Sequence, residues 1–266
     1  MSRTRVVALA LGTWIALQLS SSPAAAGRVE GAAPRFKAVA FDYFVLFDPD
    51  SVVSQAEELF PRKGRQLAAL WRNRQFEYTW LRSVTHRYVD FSAVTRDALT
   101  YSANSMNLEL TPDDERRLLD AYLHLTPWPD TVRTLQTLKR SGVRVIALSN
   151  FSPEMLRANA EYGHIADLVD AFVSTDENRT YKPDPSAYQL GVDRLHLAKS
   201  AIVFAAFAGW DAAGAKSFGY PTFWVNRANQ PGEELGVAPD ATSPSLAGLL
   251  EFVLPRATAR RARTRN

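Results

Sequence analysis

The chain has 266 residues, 46% hydrophobic and 22% charged, a composition that fits a soluble globular protein with core enough for one domain carrying an insertion. It holds no cysteine, which excludes disulfides and thiolate-bound metals. Its net charge of +3 belongs to the ends: Arg3, Arg5 and five arginines within residues 255–266 supply seven positive charges, and taking those seven from +3 leaves residues 27–254 at −4. The basic balance therefore implies no nucleic-acid-binding face.

Residues 1–26 have the layout of a secretory signal: MSRTR, an apolar run VVALALGTWIALQL, then SSSPAAAG with an A-x-A pattern. The run falls short of the ~20 apolar residues that span a bilayer. Cleavage is expected after Ala26, giving a periplasmic or secreted protein with no stable membrane anchor. Thr4 separates the two arginines, which argues against a twin-arginine signal. The arginine-rich residues 255–266 offer almost nothing to bury, so a disordered tail is expected there.

FKAVAFD (36–42) reads as a short buried strand ending at Asp42. Residues 49–127 then carry helix after helix, with apolar positions three and four apart in GRQLAALWRNRQFEYTWLRSV and FSAVTRDALTYSANSM. Thr111 before Pro112, followed by three acids, marks a helix start. From Trp128 onward helices alternate with the strands VRVIALSN, LVDAFVST, AIVFAAF and PTFWVN, and Gly142 and Gly163 are expected to close two of the helices. Alternation of this kind predicts an α/β fold: a Rossmann-like parallel sheet with helices on both faces. The core is expected over 27–48 and 128–254, with an inserted helical cap over 49–127.

Ligands of such sheets bind beyond the carboxyl ends of the strands. The residues waiting there are Asp42, Ser149 with Asn150, Thr175 with Asp176, and Ala206 to Asp211, with Lys182 close behind. His86, His124, His164 and His196 are scattered without ligand spacing, so they predict no metal site and read as surface residues. GWDAAGAKS is not a phosphate-binding loop, because Ala215 separates Gly214 from Lys216.

Asp42 after the first strand, LSN at 148–150, YKPDP at 181–185 and GWDAAGAK at 209–216 occur in the order of the haloacid dehalogenase superfamily. Over about residues 36–254 the chain most resembles the L-2-haloacid dehalogenases, type II, with LWRNRQFEYTWLRS and WDAAGAKSFGYPTFWVNR supporting that subgroup. The resemblance implies hydrolysis of small (S)-2-haloacids to (R)-2-hydroxyacids through an aspartyl ester, with no cofactor and no metal. It implies Asp42 as nucleophile, Lys182 as the cation beside it, Arg72 of the cap as receiver of halide, and Asp211 as partner of the lysine and placer of water. Ser149 and Asn150 would hold the substrate carboxylate, Tyr188 would lie near the nucleophile, and Phe44 and Trp210 would form apolar walls. The resembling enzymes often pair through the cap, so a homodimer is left open.

The departures are as informative. The family carries Gly-Thr three and four residues after the nucleophile; here those positions are Val45 and Leu46. Where motif four usually offers Ser-x-Asn before Trp-Asp, this chain has Ala206, Phe207 and Ala208. Each lost hydrogen bond to a charged group would be worth roughly 1.5–3 kcal/mol, which predicts weak activity or an altered substrate. A rival reading keeps the pocket without turnover: a catalytically silent periplasmic protein that binds a small carboxylate through Arg72, Ser149 and Asn150. A second rival, a phosphatase of the superfamily, needs an acid where Phe44 stands and several oxygen ligands for Mg²⁺, of which motif four offers only Asp211.

Overall fold

A computed structural model describes residues 35–254, so the expected signal segment and the arginine tail lie outside the described residues. Six strands form one parallel sheet: β1 Ala38–Phe41, β4 Arg144–Ser149, β5 Ala171–Ser174, β6 Ile202–Ala206, β7 Thr222–Val225 and β8 Ala241–Ser243. Their order is β5-β4-β1-β6-β7-β8. The chain thus winds to one side of β1 through β4 and β5, then returns to the other side for β6, β7 and β8. Ala38 pairs in register with both Arg144 and Ile202, so β1 is central. Asp42 follows it at the point where the winding reverses, which is where open α/β sheets bind ligands.

Alternate side chains feed the two faces. Val39, Phe41, Val145, Ala147, Val203 and Ala205 pack under α6 Thr131–Arg140, α7 Pro153–Tyr162 and α10 Leu246–Val253. Ala40, Ile146, Leu148, Ile202, Phe204 and Ala206 pack under α8 Pro185–Leu195 and α9 Gly209–Phe218. Both faces are covered, which is why these strands read as continuous apolar runs rather than alternating ones. Strand β8 and helix α10 join the helix–strand pairs recognised from the sequence. Arg227, just past β7, pairs with Asp130 at 2.7 Å, and Asp130 also accepts from the Leu246 amide at the start of α10.

Between β1 and β4 the chain leaves the sheet. A helical turn, α1 Tyr43–Leu46, leads into a two-residue strand β2 Phe47–Asp48, which pairs antiparallel with β3 Thr126–Pro127. That ribbon is the neck of the cap. It escaped the sequence reading because two residues show no periodicity. Beyond it stand α2 Val53–Leu59, α3 Gly64–Val84, α4 Phe91–Ser105 and α5 Pro112–Ala121. Thr111 and Asp114 close a reciprocal capping box at the start of α5. Helix α3 begins without a cap of its own; Glu57 of α2 accepts from the Arg62 and Arg65 amides, each at 2.8 Å.

Gly142 closes its helix with φ +74, as expected of a glycine there. Gly163 also closes its helix, as the C-cap, but at φ −79, and His164 after it takes the left-handed position. The physical reason for a glycine is space, since a Cβ at 163 would meet the Phe47 ring at 2.7 Å and Pro127 at 2.8 Å. The helix after β4 therefore docks tightly on the neck of the cap. The four histidines are all exposed.

Candidate active site

Asp42 emerges from β1 with its amide bonded to the Ala205 carbonyl of β6 at 2.9 Å. Its side chain caps α1, Oδ2 accepting from the Phe44 amide at 3.2 Å. Lys182 donates through Nζ to Asp42 Oδ1 at 2.6 Å and to Asp211 Oδ2 at 2.8 Å. The Phe204 ring lies 5.1 Å from the same nitrogen. Two carboxylates thus face one point, and the ammonium fills it. Among the described residues no group of three His, Cys, Asp or Glu side chains could hold a metal ion.

Each member of this ion cluster is fixed by a neighbour. Asn150 Oδ1 accepts from the Lys182 backbone amide at 2.9 Å, which locks the loop that carries the lysine. Tyr188 donates its hydroxyl to Asp211 Oδ1 at 2.7 Å from behind. Ser149 Oγ accepts from the Phe151 amide at 3.2 Å, so it shapes the strand-to-helix turn. Burial pulls the Lys182 ammonium downward, but the charges of Asp211 and Asp42 outweigh it and leave the group above its ordinary value. Burial pushes the Asp211 carboxyl up to about 6, against the pull of Lys182.

In front of Asp42 is a cavity of about 20 Å³, room for one water. Phe44, Phe76, Phe91, Phe151, Phe207, Trp210 and Ala208 wall it, with Ser149, Asn150 and Asp211 as the polar groups that join Asp42 there. Phe44 meets Phe151 edge-on at 5.3 Å, and Trp210 packs against Phe76 and Trp80 of the cap, each at 5.4 Å. An outer cleft of about 530 Å³ shares Phe76, Phe207, Ala208 and Trp210 with this cavity. A further cleft of about 460 Å³, bordered by Ser92, Tyr122 and Met155, includes none of the residues around Asp42.

A chain that joins an aspartate, a lysine and a second acid in one ion cluster beside a helical insertion has many relatives. A family model described as haloacid dehalogenase-like hydrolase matches residues 27–219. The (S)-2-haloacid dehalogenase of Pseudomonas sp. (strain YL) is 43% identical over 217 residues, 81% of this chain and 94% of that protein. The chain belongs to the haloacid dehalogenase-like hydrolases. Within them it falls in the 2-haloacid dehalogenase group. Haloacetate dehalogenase H-2 of Moraxella sp. (strain B) is 36% identical across 82% of this chain and 98% of that one. The L-2-haloacid dehalogenase of Xanthobacter autotrophicus, solved with chloropropionic acid covalently bound, superimposes with a TM-score of 0.77 at 33% identity, covering 80% of this chain and 96% of its own.

Against the family expectation, the structure gathers Asp42, Lys182, Asp211, Ser149, Asn150, Phe44 and Trp210 around one cavity or its ion cluster. Tyr188 stands one shell back, reaching Asp42 only through Asp211. Arg72 is the residue not brought there: its Nη1 donates to Asp50 Oδ1 at 2.6 Å, and it does not line the cavity. Of the three substituted polar positions, only Ala208 reaches the cavity wall. Leu46 is fully buried in the large core cluster and Ala206 in the smaller one, so their apolar character serves packing. Phe76, Phe91, Phe151 and Phe207 were missed by the sequence reading. Phe151 and Phe207 sit beside motif residues and could have been found; Phe76 and Phe91 come from cap helices and carry no signal beyond ordinary amphipathicity.

Proposed function

We propose that this protein hydrolyses the carbon–halogen bond of small (S)-2-haloacids to give (R)-2-hydroxyacids. One observation carries the reading: a carboxylate pinned by a buried lysine opens onto a largely aromatic cavity, with Phe44 where a phosphatase would need an acid. Asp42 Oδ2, held by one long bond, attacks C2 and the halide leaves with its electron pair, inverting the centre. Water then attacks Cγ of the Asp42 ester as one of its protons passes to Asp211; the bond between Cγ and the substrate oxygen breaks, that oxygen takes the proton back from Asp211 to give the hydroxyacid, and Asp42 loses the remaining proton to return to a carboxylate. The aromatic wall excludes bulk water and strengthens the field of Lys182 in the cavity. In this reading Arg72 receives the departing halide, while Ser149, Asn150 and the amides at the start of α7 hold the substrate carboxylate.

The cavity of about 20 Å³ is too small for a haloacid, so binding requires the cap and core aromatic side chains to part. The same reading places the mature protein, from Gly27, in the periplasm or outside the cell. Amino-terminal sequencing of the exported protein tests that directly; a chain retaining residues 1–26 in the cytoplasm refutes it. For the activity, purified protein is incubated with 2-chloropropionate in EDTA and halide release is followed. Halide with inverted 2-hydroxypropionate is the expected result, and silence with all short 2-haloacids, beside measurable carboxylate binding, would favour the silent binding protein.

A further inference from the structure

We propose that Asp50 is a positioning residue that holds Arg72 outside the nucleophile's cavity and yields it when an anion enters. The inference rests on Arg72 as the receiver of halide. Arg72 stands four residues before Phe76 on α3, so the two side chains share one helix face, and Phe76 walls the cavity. Arg72 thus stands one helical turn from a residue of the cavity wall, yet its guanidinium is engaged by Asp50. Its partner Asp50 sits in the turn Pro49–Val52, directly after β2 at the neck of the cap. The Asp50 amide donates to Asp48 Oδ1 at 2.8 Å, which holds the turn in place. Burial raises the Asp48 carboxyl, and the charge of Asp50 raises it further while Arg72 pulls it down. Among the described residues Asp50 is the carboxylate that Arg72 bonds, and it does not line the cavity in front of Asp42.

The pair is built to exchange. Asp50 is 57% exposed and Arg72 23%, and ion pairs in that range contribute little because water screens them. A halide arriving in an apolar cavity offers the guanidinium a partner in a drier place, where the same attraction is stronger. Asp50 then competes with halide for Arg72 and so limits how tightly the product is retained.

Initial rates with 2-chloropropionate and inhibition by added chloride are measured for the wild type, Asp50→Asn and Asp50→Glu, with thermal unfolding as the check on folding. Asp50→Asn is expected to lower KM and the chloride inhibition constant by up to about fivefold, the factor an exposed pair can supply, with kcat moved far less. Asp50→Glu keeps the charge on a longer arm and is expected to restore the wild-type response to chloride. An unchanged or weakened chloride response in folded Asp50→Asn overturns the proposal. Arg72→Ala separates the two failures. If that variant turns over like the wild type, the halide-receiving role itself falls; if it is inactive while Asp50→Asn is silent, only the role of Asp50 falls.

Discussion

The core and the cap each supply one cation to the motifs, and they hold it in opposite ways. Lys182 is 1% exposed, bonded to two carboxylates, of which Asp211 is equally buried, and lies over an aromatic ring. Arg72 is 23% exposed and answers to a single carboxylate that is itself mostly in water. A buried charge with all its partners cannot be rearranged without a large cost, because the low local dielectric makes any unpaired group expensive. A half-exposed pair can be remade at little cost. The core therefore fixes Asp42 firmly, while the ion pair in the cap is the easier of the two to remake. The aromatic wall divides in the same manner: Phe44, Phe151 and Phe207 come from the core, and Phe76 and Phe91 from the cap.

The contrast breaks most visibly at Asp42. Asp42→Asn is expected to abolish turnover, falling by several orders of magnitude as nucleophile deletions do, and mass spectrometry of wild-type enzyme quenched during turnover should find the substrate-derived adduct on Asp42. Adduct on another residue would remove the mechanism. Lys182→Met comes next. It leaves Asp42 and Asp211 facing each other without a counter-charge, which should cost about 3–5 kcal/mol of stability, read as a lower urea midpoint, together with loss of activity. A Lys182→Met protein as stable as wild type would show that the ion cluster is not what anchors the core.

A smaller effect is expected from pH. Asp211, pushed up to about 6 by burial, must be ionised to take a proton from water, so the rate of ester hydrolysis should fall as pH drops through about 6. Lys182 is raised above its ordinary value by its two carboxylates, so no loss from its deprotonation is expected until pH passes 10.5. Single-turnover hydrolysis across this range is the measurement, and a rate independent of pH between 5 and 8 would remove Asp211 as base. Ala208→Asn returns an amide to the only one of the three substituted positions on the cavity wall. If one hydrogen bond to a charged group is worth roughly 1.5–3 kcal/mol, ester hydrolysis should quicken by about tenfold or more. The smallest expected effect is at the cap–core seam, where Tyr88 donates to Asp176 at 2.5 Å. Tyr88→Phe should lower stability by about 1.5 kcal/mol, the low end for a bond to a charged group, and raise KM slightly, measured by unfolding and steady-state rates in parallel.

Much of the fold was legible because its causes are local. Helix α3 coincides with the segment 64–84 marked by its apolar spacing, and the strands after Trp128 were visible as apolar runs between capped helices. The neck strands β2 and β3 were not, since each owes its existence to the other across 77 intervening residues rather than to any local preference.

Read alone, the order of motifs was enough to give the family, the parallel sheet and the partnership of Asp42, Lys182 and Asp211. Those follow from residue type and chain order, which survive without coordinates. Folding was needed to show that Arg72 rests on Asp50, that Leu46 and Ala206 belong to packing while Ala208 faces the cavity, and that two cap phenylalanines complete the wall. Each of these depends on which surface a side chain meets once distant segments pack, and close packing, unlike periodicity, leaves no trace in the order of residues.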